Sequence, residues 1–141
     1  MAGFLDVPGI DHPDRQLMPS LQISARGMAT QMRFLEIISS NIANAEATGT
    51  PEGGAYRRQV GIAEHDPATG AVTARVVEDE QQGRLVYDPG HPNANAEGFV
   101  EYPNVDVNTE LVDLMIARRI HQANASVFQA AKSMLKRALE I

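Results

Sequence analysis

Residues 21–51 read LQISARGMATQMRFLEIISSNIANAEATGTP. Apolar and small residues fall at Leu21, Ala25, Met28, Met32, Leu35, Ser39 and Ile42, an alternating four-three spacing held over three heptads. That period lines one side of a helix and makes the seam of a coiled coil. Ser20, just after Pro19, is placed to cap the helix by accepting from a free first-turn amide. Gly49 and Pro51 mark the latest point at which the helix can stop. Asn41 and Asn44 interrupt an Ala/Ile-rich run that needs no amides to be helical.

A second series lies at the other end of the chain: Ile116, Ile120, Ala123, Val127, Ala130, Met134 and, a heptad later, Ile141. Leu114, Phe128 and Leu135 flank it on one side, and Ala117, Asn124, Ala131 and Ala138 on the other. The apolar stripe is wider than one partner helix can cover. An intramolecular hairpin of the two helices is the plain reading. At ~1.5 Å per residue, however, residues 109–140 should span about 48 Å and residues 21–44 about 36 Å, leaving apolar surface on the longer helix. Packing between molecules is the natural use for it.

The middle contains short strand-like runs at Tyr56–His65, Ala71–Glu80 and Arg84–Asp88, with Asp66–Gly70 as a hairpin turn. In DPGHPNANAEGFVEYPNVDVN (88–108), Pro89, Gly90, Pro92, Gly98 and Pro103 prevent any long regular element, so turns and side-chain hydrogen bonds must fix it.

At 141 residues the chain suits one ordinary domain, and three Tyr, four Phe and no Trp fit helix-to-helix packing better than a ring-filled core. The net charge of −6 resides in residues 45–104, which alone carry −6. An acidic middle disfavours nucleic acid, which requires a clustered basic surface. Cysteine is absent, which excludes disulfides and thiolate metal sites. No apolar run approaches the ~20 residues of a spanning helix. The first twenty residues lack a secretory n- and h-region, which makes the cytoplasm the default location unless export follows another route.

Catalysis has little support. His12, His65, His91 and His121 are scattered without the i+2, i+3 or i+4 companion of a zinc site. Asp88 and His91 read as a turn in which the Asp carboxylate accepts from backbone amides. Glu78, Asp79 and Glu80 read as a solvated acidic turn, not a glycosidase pair. The doublets Arg57-Arg58 and Arg118-Arg119 read as partners for acidic neighbours. No metal or catalytic residue and no cofactor is assigned.

SSNIANAEATGT…YRR, together with the run from DPGHPNANAEGFVEYPNVDVN to the C-terminus, resembles the two signatures of the flagellar axial family of rod and hook proteins, over roughly residues 18 to 141. The short middle is similar to that of its proximal rod members. The resemblance implies a structural subunit that polymerises into the helical rod of the basal body, transmitting torque and enclosing the export channel. It further implies paired terminal helices as an inner layer, export by the flagellar type III apparatus without a cleaved signal, other rod proteins as partners and a place in the periplasmic space. Another axial rod or hook component, a cytosolic helical adaptor or export chaperone, and a glycan-cleaving enzyme are the alternatives, the enzyme ranking last.

On this resemblance Asn41 and Asn44 sit near a helix end, where their amides either cap the last carbonyls within one chain or reach a neighbouring subunit. The 88–108 segment is expected to wedge between subunits through Tyr87, Phe99 and Tyr102, or to seat on its own chain, with Asn93, Asn95 and Asn104 holding turns. Residues 1–17, with Phe4, Leu5, Val7 and Ile10, depart from the family pattern as an extension: an export-recognition segment, an extra rod contact or a frayed tail. The expected fold is mainly α with a small β part. Long terminal helices pair as a coiled coil (18–48 and 105–141) around a short, irregular β-hairpin middle (49–104).

Overall fold

The computed structural model describes residues 13–140, with side-chain surroundings from residue 18 onward. The elements are α1 (Pro13–Ala43), β1 (Gln59–His65), β2 (Val72–Glu78), β3 (Leu85–Tyr87), β4 (Phe99–Glu101) and α2 (Val107–Glu140). The chain is therefore mainly α with a small antiparallel β part. Residues 1–12 of the extension, and Ile141 of the second heptad series, lie outside the described residues.

α1 is already helical at Pro13, the first described residue. It continues through Pro19, which removes one bond from the ladder, so Ser20 is an interior helical residue and not the expected N-cap. With 31 and 34 residues, the helices are about 46 and 51 Å long. The expected mismatch in helix length is thus mostly absent. The surplus apolar surface comes instead from how α2 is rotated.

α1 and α2 pack on each other more extensively than any other pair of elements, and α2 packs on no strand. On α2 the shielded positions are Leu114, Ala117, His121, Ala125, Phe128, Ala131 and Leu135. They form a stripe about a third of a turn from the Ile116–Met134 series. The intrachain contact therefore uses columns that flank the heptad seam. On α1 the half-buried Leu21, Met28, Leu35 and Ile42 lie along one side of the helix, while Ala25, Met32 and Ser39 are exposed.

The next face of α1 carries Thr30, Phe34 and Ile37 and receives the β1–β2 hairpin. The strands run antiparallel from Gln59 opposite Glu78 to His65 opposite Val72, shorter than the expected runs. Gly61 lets the hairpin lie flat on α1. A Cβ there would fall well inside contact with the Phe34 ring and 3.1 Å from Ile37 Cδ1. The Thr30 hydroxyl donates to the Val72 carbonyl at 2.9 Å. The turn is closed by the Gly70 N–H donating to the Asp66 carbonyl (2.8 Å), with Gly70 at φ +69°. The unanticipated strand is β4, which pairs antiparallel with β3 and places the fully buried Val100 opposite Val86.

Candidate functional site

A buried polar junction fastens the middle of the chain to both helices. Asn41, 1% exposed, receives the Tyr56 hydroxyl and the Gln59 N–H at its Oδ1, each at 2.9 Å. Its Nδ2 donates to the Gln59 carbonyl (2.8 Å) and to Glu110 Oε2 (3.3 Å). The amide thus uses both ends, and pairs with Gln59 as a neighbouring strand would. Asn41 therefore bonds across the chain to Tyr56, Gln59 and Glu110, and not to the last carbonyls of α1. Asn44 does act locally, its Nδ2 donating to the Ser40 carbonyl at 2.8 Å.

Glu110, also 1% exposed, sits in the first turn of α2, where the helix dipole favours an acid. Its Oε1 accepts from Arg58 Nε. The same guanidinium lies 3.8 Å from Asp79 Oδ2 and 3.9 Å from Asp113 Oδ2. A buried carboxylate is tolerable only when it is paired and hydrogen-bonded in this way. Asn104 completes the clamp, accepting from the Arg58 N–H (2.7 Å) and donating to the carbonyls of Asp79 (3.2 Å) and Gln81 (3.0 Å). Asp79 of the expected acidic turn is therefore half-buried and partnered.

The 88–108 segment is held as its sequence suggested, with different atoms in the roles. The Asp88 turn is closed by its carbonyl, which accepts from the His91 N–H at 3.1 Å, and not by the carboxylate. His91 Nδ1 accepts from the Asn93 N–H (3.0 Å), and Asn93 Nδ2 donates to Thr48 Oγ1 (2.8 Å). Asn95 Oδ1 receives the N–H groups of Glu97 (3.0 Å) and Phe99 (2.9 Å). Gly98, buried at φ +87°, has a backbone that few other residues adopt. Pro103 is buried, while Pro89, Gly90 and Pro92 are exposed. Tyr102 is half-buried beneath the Arg84 guanidinium, 5.1 Å from its ring centre. Tyr87 and Phe99 remain exposed, packed edge to face with ring centres 5.3 Å apart.

The Ile116, Ile120, Ala123, Val127, Ala130 and Met134 series lies along the open side of α2, all six exposed, Val127 by 65%. Val112 and Met115 extend this side toward the helix N-terminus, with Met115 72% exposed. Large apolar side chains are thus left in water along one helix face.

Among the described residues no group of three or more His, Asp or Glu is arranged to hold a metal ion. No helix among the described residues is long and apolar enough to cross a membrane. His121 Nδ1 is buried without a hydrogen-bond partner on the helix-pairing face of α2. Asp66 is the carboxylate held below its usual range, by the Thr69 hydroxyl and then the Ala68 N–H, in an exposed turn. None of these forms a reactive constellation.

Comparison with known proteins addresses both ends of the chain. Residues 21–49 match a flagella basal body rod protein model, and residues 96–141 match the C-terminal model of the flagellar basal body rod FlgEFG proteins. These matches set the class, a flagellar rod protein. The basal-body rod protein FlgC of Salmonella typhimurium is 38% identical over 130 residues, 89% of this chain and 97% of that protein. FlgC of Borreliella burgdorferi is 33% identical over the same shares, and FlgC of Bacillus subtilis is 34% identical over 86% of this chain and 95% of its own. The chain belongs to the FlgC family of flagellar basal-body rod proteins.

Sequence reasoning singled out Asn41, Asn104 and the Arg57-Arg58 doublet but missed Glu110 and Tyr56 as their partners. Glu110 is 69 positions from Asn41, and an acid in a first helical turn looks ordinary. The available signal was the Arg doublet, which carries a cation that a buried acid requires.

Proposed function

We propose that the chain is a structural, non-catalytic subunit of the proximal rod, which polymerises with itself and other rod proteins into the helical shaft that transmits torque and surrounds the export channel. The observation that carries this reading is the apolar side of α2, open from Val112 to Met134, in a chain whose two ends match rod protein models. Each Ile, Val or Met buried there on assembly contributes ~1.5–3 kcal/mol before ordering entropy is subtracted. Many such contacts around a helix of subunits make a stiff shaft.

In this reading residues 18–48 and 105–141 act as the coiled-coil inner layer and residues 49–104 as the outer part, leaving residues 1–17 for a contact of their own. The buried junction fixes the angle between the helices and the middle region, so that every subunit presents the same surfaces. Export by the flagellar type III apparatus without signal cleavage, and a final place in the periplasmic space, complete the proposal. The test is mass spectrometry of purified basal bodies washed with detergent and alkali. The chain, with its N-terminus intact, should stay bound to them. Its absence there together with abundance in the cytosol would replace the rod with a soluble helical adaptor.

A further inference from the structure

Two exposed patches on the chain are opposite in charge, and both are apolar at the centre. The first lies on the outward side of the β3–β4 pair, where Leu85, Tyr87 and Phe99 are exposed and the two rings brace each other. Asp88, Glu97 and Glu101 surround it, and their carboxylates form no ion pair among the described residues. The second is a depression of ≈ 410 Å³ on the N-terminal half of α2, floored by Val112, Met115 and Ile116 and bordered by Arg118, Arg119 and Gln122. Neither arginine is ion-paired among the described residues. Unpaired acids around aromatic rings face a match in unpaired arginines around an aliphatic floor. Aromatic anchors entering an apolar pocket with charges at the rim are the usual anatomy of a specific contact.

We propose that the acidic-rimmed Tyr87–Phe99 patch of one copy docks into the arginine-bordered depression of α2 on the next copy. Both patches are exposed on the same chain, so neither covers the other within it. Because the two surfaces differ, each bound copy offers a free patch to another, so such head-to-tail contacts run on from copy to copy, as a helix when the rotation between copies does not close into a ring, and do not pair off as a two-fold dimer. The charges set register and favour the correct pairing, while the rings supply the buried area. The proposal rests on the rod reading and adds which face meets which.

The chain has no cysteine, so introduced thiols are unique. Tyr87→Cys, Met115→Cys and the double variant are expressed as the sole copy, and purified basal bodies are oxidised. The double variant should form dimers and higher linked species, and each single variant should stay at least tenfold less linked. A double variant that assembles but does not link, or a single variant that links efficiently to itself, overturns the pairing.

A second measurement uses charge. Arg118→Glu with Arg119→Glu, and separately Glu97→Lys with Glu101→Lys, should each lower incorporation at least tenfold, while the four changes together restore it to within about threefold. Loss without restoration, in variants whose circular dichroism matches the parent chain, also overturns it. An unaltered chain absent from basal bodies defeats the rod reading itself, and that failure is seen before any variant is made.

Discussion

Asn41 Nδ2 lies 3.3 Å from Glu110 Oε2, although 69 positions separate the two residues, and both side chains are almost fully buried. Through this contact, the C-terminal end of α1 and the first turn of α2 share one polar junction with the entry to β1. Removing either side chain strands several buried groups at once, each costing about 1–3 kcal/mol. Asn41→Ala should therefore destabilise the chain by about 3 kcal/mol, and Asn44→Ala, which loses only a local bond to Ser40, by about 1 kcal/mol. Urea denaturation of the purified monomers compares the two. Equal losses would show that Asn41 does no more than a helix cap.

The ion pair in the same junction gives a sharper contrast. Glu110→Ala leaves Arg58 partly buried with Asp79 and Asp113 at longer range, and breaking a buried pair from one side costs about 3–5 kcal/mol. Asp113→Ala, at the exposed edge, should cost under about 1 kcal/mol. The two variants are ranked by their thermal midpoints.

Gly61 should resist even the smallest side chain. A Cβ there overlaps the Phe34 ring, and overpacking of this kind costs about 1–3 kcal/mol. Gly61→Ala should lower stability, and adding Phe34→Leu should recover part of it. The recovery, measured as a double-mutant cycle, distinguishes this contact from a general loss of backbone freedom.

On α2, neighbouring columns should give opposite phenotypes. Ile120→Asp or Val127→Asp changes an exposed side chain, so monomer stability should stay within about 0.5 kcal/mol while incorporation into basal bodies falls sharply. Phe128→Ala, on the half-buried column, should cost about 2–4 kcal/mol in the isolated chain. Chemical denaturation and basal-body fractionation of the same variants separate folding from assembly.

The β1–β2 turn should loosen in acid. The Asp66 carboxylate is held below 3.8 by the Thr69 hydroxyl and the Ala68 N–H, which favour its charged form. A depressed folded-state pKa means that its contribution is present above the ordinary carboxylate value and is lost as pH falls through the lower one. Side-chain NMR titration should place its midpoint under 3.8, and Thr69→Ala should raise it.

Much of this architecture was legible in the residues. Heptad spacing announced both helices. The Asp66–Gly70 turn divided β1 from β2, and the rod signatures carried the family. These are features that neighbouring residues decide among themselves, because periodicity, turn chemistry and proline placement act over a few positions. Ser20 failed as a cap because α1 already runs through Pro19 and Ser20, which local preference did not reveal. β4 was missed because three residues are too short to show a strand period, and they are held by pairing with β3.

What the sequence determined alone was the set of amphipathic helices, the position of the turns and the family to which the chain belongs. What the tertiary structure decided was which columns of α2 turn inward. The sequence offered a stripe wider than one helix can cover, and only packing on α1 selected Leu114, Ala117, Phe128 and Leu135 and left Ile116, Ile120, Val127 and Met134 in solvent. The choice is tertiary because both stripes are apolar. What distinguishes them is that Glu110 lies on the inward stripe, where it faces Asn41 and Arg58, partners that only the fold brings to it.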